Sequence, residues 1–185
     1  MIKMMSILNE ITQPKYDFGC VMLYFEFPEI TFLHNMIDEK DIYTEEGDNS
    51  FGLEDEPHTT LLYGLHDGVT LKDVKNVMGE FRFGDLKAHN PSLFQNEKYD
   101  VLKFDMEYPT KGDTFLHKCN DELKKFPYTS DYPDYHPHMT IAYLKPGKGN
   151  KYLRKFGQIG YNLTPQYGVY SQPNGTKTKI KINVR

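Results

Sequence analysis

A seven-residue segment occurs twice in this chain, as PHTTLLY at 57–63 and PHMTIAY at 137–143. Pro, His, Thr and Tyr hold the same four of seven places, 80 residues apart. A His followed two positions later by Ser or Thr arises by chance for about one His in ten at average usage. One such pair among seven histidines would therefore mean little. Two pairs sharing their flanking Pro and Tyr constrain the fold far more, because a duplicated motif implies a duplicated scaffold around it.

The surroundings repeat as well. Residues 20–28, CVMLYFEFP, alternate as a strand does, with Val21, Leu23, Phe25 and Phe27 on one face and Met22, Tyr24 and Glu26 on the other. Residues 99–109, YDVLKFDMEYP, do the same, with Leu102, Phe104, Met106 and Tyr108 opposite Val101, Lys103 and Asp105. Pro28 precedes His58 by 30 residues, and Pro109 precedes His138 by 29. A helical face follows each proline: Ile30, Leu33, Met36 and Ile37 in the first half, and Phe115, Leu116, Cys119, Leu123 and Phe126 in the second, with Asp113 placed as its cap. Each half thus reads strand, helix, strand, and its second strand carries the repeated motif. The expected fold class is α+β: a single domain of two similar lobes whose antiparallel sheets form a central cleft. The lobes are expected over about 18–83 and 84–185, with residues 1–17 as an N-terminal extension.

Three further segments complete the plan. Residues 70–82, TLKDVKNVMGEFR, predict a helix behind a Thr70 cap, crossing from one lobe to the other. Residues 167–184 predict a hairpin turning at Asn174-Gly175. Its last strand alternates Ile180, Ile182 and Val184 with lysines, as an edge strand facing water does. Residues 38–56 carry nine acids and read as a solvated loop, without the carboxylate spacing of a calcium loop.

Composition narrows the function classes. At 185 residues one domain is expected. Apolar residues are 38%, below the usual level of about 45–50%, but 14 Tyr and 12 Phe supply large buried areas. A net charge of −4 argues against a protein that coats long DNA or RNA, and leaves a small anionic ligand open. Cys20 and Cys119 read as two free thiols, and no CxxC or Cys/His cluster suggests a metal. No signal-peptide stretch and no run of 18 apolar residues occurs, so a soluble cytoplasmic protein without a membrane partner is expected.

In a strand, residues two apart share a face, so His58 lies beside Thr60 and His138 beside Thr140. If the lobes are related by a pseudo-twofold axis, both pairs face one cleft. Such a set suits phosphodiester cleavage with no metal and no cofactor. A neutral imidazole removes a proton from the attacking oxygen while an imidazolium protonates the departing one. The reference imidazole pKa of about 6.5 permits both states near neutrality. The threonine hydroxyls can donate to non-bridging phosphate oxygens.

These paired motifs, each on a strand of a duplicated lobe, resemble those of the two-histidine (2H) phosphoesterase superfamily, which includes RNA 2′-5′ ligases and cyclic phosphodiesterases. The resemblance covers about residues 18–184. Within it, DNSFGLEDEPHTTLLYGLH and YHPHMTIAYLKPG are most similar to a bacteriophage branch that includes the anti-CBASS nucleases, which degrade cyclic oligonucleotide alarm signals. The resemblance implies that His58 and His138 are the acid–base pair and that Thr60 and Thr140 hold the phosphate. It implies a cyclic di- or trinucleotide as substrate, cleaved at 3′-5′ linkages in the host cytoplasm as phage counter-defence. A phosphodiesterase acting on 2′,3′-cyclic or 2′-5′-linked RNA ends, and a non-catalytic module that sequesters cyclic nucleotides, are the alternatives. The repeat makes the two histidines nearly equivalent, so the acid and the base are not distinguished.

Specificity is expected from the cleft lining. Tyr24 and Lys103, read as equivalent repeat positions, are candidates for stacking or phosphate contact and for anion binding. Phe94, in the loop before the second lobe, and Tyr170, in the C-terminal hairpin, are candidate stacking platforms. His136 shares a face with His138 in a regular strand and reads as flanking structure. His34, His66, His89 and His117 lack the motif.

Overall fold

A computed structural model of the protein describes residues 17–107, 115–131, 134–157 and 159–185. The expected extension, apart from Asp17, lies outside the described residues, as do Tyr108, Pro109 and the Asp113 cap. In chain order the elements are β1 (Gly19–Phe25), α1 (Ile30–Asn35), β2 (His58–Leu65), α2 (Leu71–Gly79), β3 (Arg82–Phe83), β4 (Leu86–Gln95), β5 (Asp100–Glu107), α3 (Phe115–Leu123), β6 (His138–Leu144), α4 (Asn150–Phe156), β7 (Tyr161–Leu163), β8 (Pro165–Ser171), β9 (Lys177–Ile180) and β10 (Asn183–Val184).

Eight strands form one antiparallel sheet in the order β7-β4-β5-β6-β2-β1-β8-β9, and β3 pairs with β10 in parallel. The alternation read from the sequence decides which face is covered. Val21, Leu23 and Phe25 of β1 and Leu102, Phe104 and Met106 of β5 are buried in the main core, together with Ile30 and Leu33 of α1 and Leu116, Cys119 and Leu123 of α3. Each buried leucine contributes about 1.5–3 kcal/mol. The other face of β1 carries Met22 and Tyr24, which form a small separate cluster with Val169. The α+β expectation is met, with the antiparallel strands of both halves joined edge to edge in a single sheet.

The halves exchange their connections. α3, between β5 and β6, packs under β2, and the buried Asn120 Nδ2 donates to the Leu61 carbonyl at 2.6 Å. α1, between β1 and β2, packs under β6, where His34 Nε2 lies 3.0 Å from the Ile141 carbonyl. Leu61 and Ile141 occupy the same place in the two motifs. α2 begins at Thr70 as expected: the Thr70 hydroxyl accepts from Asp73 N, and the Asp73 carboxylate accepts from Thr70 N, a capping box.

Three expectations change. The acidic stretch 38–56 is docked rather than merely solvated. β6 needs partners along the edge that β2 leaves, and the stretch supplies them: Tyr43 N donates to Tyr143 O, Glu54 N donates to Ile141 O, and Gly52 O accepts from Tyr143 N. Its Asp41 is buried, accepts from Tyr152 Oη at 2.7 Å and pairs with Lys151. Phe94 lies in a ten-residue strand, β4, rather than a loop. Pro91 and the positive φ of Asn90 hid that strand, and the ladder with β5 accommodates them by an irregular register between His89 and Pro91. The C-terminal hairpin joins the edge of β1, and its last strand ends at Ile180 before Asn183–Val184 pair with β3. Among the described residues, no helix is long and apolar enough to cross a membrane.

Candidate active site

The two motif strands meet at one register pair, Thr59 with Met139, and both side chains are fully buried. Period-two alternation then sends His58 and Thr60 from β2, and His138 and Thr140 from β6, to the opposite face, about a local dyad through that pair. Immediately after each threonine the strand carries an extra residue. Val21 pairs with Leu62 but Met22 pairs with Thr60; Leu102 pairs with Ala142 but Lys103 pairs with Thr140. These are β-bulges at Leu61 and Ile141. Two consecutive residues in each motif, Leu61-Leu62 and Ile141-Ala142, therefore face the core. Tyr63 and Tyr143 return to the face of the histidines, which simple alternation denies them. The adjacent apolar pairs LL and IA were the signal for this.

Both imidazoles are anchored alike. His58 Nδ1 lies 2.8 Å from the Glu56 carbonyl, and His138 Nδ1 lies 2.8 Å from the His136 carbonyl. A carbonyl oxygen can only accept, so each Nδ1 carries a hydrogen and each Nε2 is left for chemistry. Burial holds the His138 pKa below the ordinary imidazole value, and the charges of Lys103 and His58 lower it further, against the opposing pull of the His136 carbonyl and Asp105. Both the burial and these charges favour the neutral form of His138. His136 contributes its carbonyl, not its ring.

Each histidine leans on an aromatic ring, and a lysine stands over that ring in one half and over the next ring in the other. In the first half, Tyr24 stacks on His58 at 5.2 Å and on Tyr167 at 5.3 Å, and Lys179 Nζ stands 4.1 Å from the Tyr167 centroid. Tyr24 has both ring faces covered and is 6% exposed, so it backs His58 and offers no face to a base. In the second half, the half-exposed Phe94 meets His138 edge to face at 5.0 Å, and Lys103 Nζ lies 4.3 Å from the Phe94 centroid. Lys103 is not an open anion site either. It is buried, donating at 2.7 Å to both Ser92 Oγ and Asp105 Oδ1, while Ser92 Oγ donates to the same carboxylate.

The register also corrects the equivalence of Tyr24 and Lys103. Tyr24 pairs with His58 as Asp105 pairs with His138, and Met22 pairs with Thr60 as Lys103 pairs with Thr140. Tyr170 is not brought to the site. Its ring is fully buried in the main core and its hydroxyl donates to the Val69 carbonyl. Strand parity gives the site Tyr167 instead, which the sequence reading missed. Among the described residues, no three His, Cys, Asp or Glu side chains converge as metal ligands, and both cysteines are free thiols.

No family model and no curated protein matches the sequence. Solved structures do match its fold. Usb1 of Kluyveromyces marxianus superposes with a TM-score of 0.59 at 8% identity, over 90% of this chain and 99% of that one. The same protein with uridine monophosphate gives 0.57 at 8% identity, over 90% and 98%. A phosphoesterase gives 0.50 at 14% identity, over 92% and 96%.

Proposed function

We propose that the protein is a phosphodiesterase whose acid–base pair is His58 and His138, acting on nucleotides that carry a free 2′-hydroxyl. The observation that carries this reading is the pair of imidazoles with identical Nδ1 anchors, flanking one dyad with a threonine hydroxyl beside each. His138, held neutral, takes the 2′-hydroxyl proton on Nε2. The 2′-oxygen forms its bond to phosphorus as the bond from phosphorus to the 5′-oxygen breaks, and His58, as imidazolium, gives its Nε2 proton to that oxygen. Thr60 and Thr140 donate to the non-bridging oxygens as charge develops. The product is a 2′,3′-cyclic phosphate, which water opens with the roles reversed. No step needs a metal.

The substrate within this reading is a cyclic oligonucleotide, and the setting is phage counter-defence against the host alarm signal. Support comes from the wording of residues 48–66 and 135–147 and from the acidic overall charge, which disfavours long RNA. The likeness to Usb1 with uridine monophosphate favours a second reading, a phosphodiesterase on 2′,3′-cyclic or 2′-5′-linked RNA ends. Incubation with a cyclic dinucleotide in excess EDTA separates these. Linear products carry the first reading. An intact ring, with turnover of a 2′,3′-cyclic mononucleotide, carries the second. Activity lost to EDTA and restored by Mn²⁺ sinks the metal-free mechanism.

A further inference from the structure

The two motif tyrosines are equivalent in register but opposite in surroundings. Tyr143 is enclosed by Phe51 and Tyr99, at ring distances of 5.2 and 5.4 Å, and Tyr43 packs on both of those rings. Tyr63 is 54% exposed and meets Phe18 in a T-shaped contact, while Phe18 is stacked on His66. Among the described residues, the site face is therefore closed by aromatics beyond His138 and open beyond His58.

The open side has a basic border. Register partners run across the sheet from Tyr63 to Cys20, to Ser171 and to Lys177, and in the next row from Thr60 to Met22, to Val169 and to Lys179. Lys177 and Lys179 thus stand on the face that carries His58 and Thr60, and both are exposed. Lys177 has no ion pair among the described residues. Along β2, Tyr63 lies roughly 13 Å from His58, at about 3.3 Å per residue less one residue for the bulge, farther than a single nucleotide reaches.

We infer that Tyr63 with Phe18, and Lys177 with Lys179, form a second-nucleotide subsite, in which Tyr63 stacks a base and the lysines hold a second phosphate while the reacting phosphate lies between His58 and His138. This rests on the phosphodiesterase reading for the position of the reacting phosphate, and it makes the preferred ligand a dinucleotide or larger. A mononucleotide fills only part of the site.

Binding of cyclic diadenylate and of uridine monophosphate, measured by calorimetry in a His138→Ala background, tests it without depending on turnover. Tyr63→Ala weakens cyclic diadenylate by about tenfold to a hundredfold, Tyr63→Phe restores it, and uridine monophosphate changes by less than about threefold. Lys177→Ala with Lys179→Ala also weakens the dinucleotide and makes its salt dependence shallower. Absence of dinucleotide binding, an unchanged dinucleotide affinity in these variants, or equal loss for both ligands overturns the subsite. Wild-type turnover is scored separately. A ring that binds through Tyr63 but is never cut keeps the subsite and ends the phosphodiesterase reading. A ring cut with no dependence on Tyr63 does the reverse.

Discussion

The ring of Tyr24 lies against that of His58, centroids 5.2 Å apart and planes 24° from parallel, and its other face is closed by Tyr167. A ring covered on both sides positions its neighbour and has no surface to give a substrate. Tyr24→Leu should therefore lower kcat about tenfold, the equivalent of an aromatic pair worth roughly 0.5–1.5 kcal/mol, with KM within about twofold. Tyr24→Phe, which keeps the stack, should stay near wild type. A rise in KM at constant kcat would instead make Tyr24 a binding residue.

His58→Ala and His138→Ala should each cost roughly 10²–10⁴-fold in turnover. Both rings stand on the face away from the main core, so circular dichroism should be unchanged. A folded variant with near wild-type turnover would remove that histidine from the mechanism.

The pH dependence carries a sign. Burial, with the charges of Lys103 and His58, lowers the His138 pKa, so its neutral imidazole persists below the ordinary range. The acid limb of kcat/KM should accordingly lie below that range in the wild type. Lys103→Met removes a cation and leaves the Asp105 carboxylate without its ion pair, and both changes favour the imidazolium. The limb should move to higher pH. An unmoved limb in the pH profile would show that Lys103 is not felt at the base.

Gly64 follows Tyr63 with φ of +108°, and a Cβ there would stand 1.8 Å from the Thr129 carbonyl oxygen. Thr129 N donates to Gly64 O, so the two segments have little room to part. Gly64→Ala should cost at least about 1–3 kcal/mol, lowering Tm by roughly 5–10 °C. Gly68 has nearly the same φ but nothing within 4 Å, so Gly68→Ala should lower Tm less. Equal shifts in a thermal scan would mean that the contact with Thr129 adds nothing.

Much of the candidate site's layout was legible because its logic is local. A period of two places His58 with Thr60 and His138 with Thr140, whatever the strands pair with. The same period separates Val21, Leu23 and Phe25 from Met22 and Tyr24, and so marks the face that helices cover. Phe94 lies against His138, although the strand that holds it was hidden by Pro91.

What depended on pairing was not legible. Whether Tyr167 or Tyr170 faces the histidines depends on which face of β8 continues the site face of β1, and that is set by Tyr24 pairing with Tyr167. Lys103 reads as a free cation until Ser92 and Asp105 close around it. The bulges at Leu61 and Ile141 return Tyr63 and Tyr143 to the site, and a bulge exists only against a partner strand. By itself the sequence determined the repeated strand-helix-strand plan and the paired His/Thr faces, because both follow from backbone periodicity along one segment. Tertiary structure decided the junction at Thr59 and Met139, the exchange of α1 and α3 between halves, and the open and closed sides of the site. Those follow from hydrogen bonds and packing between segments far apart in the chain, for which no single segment carries the period.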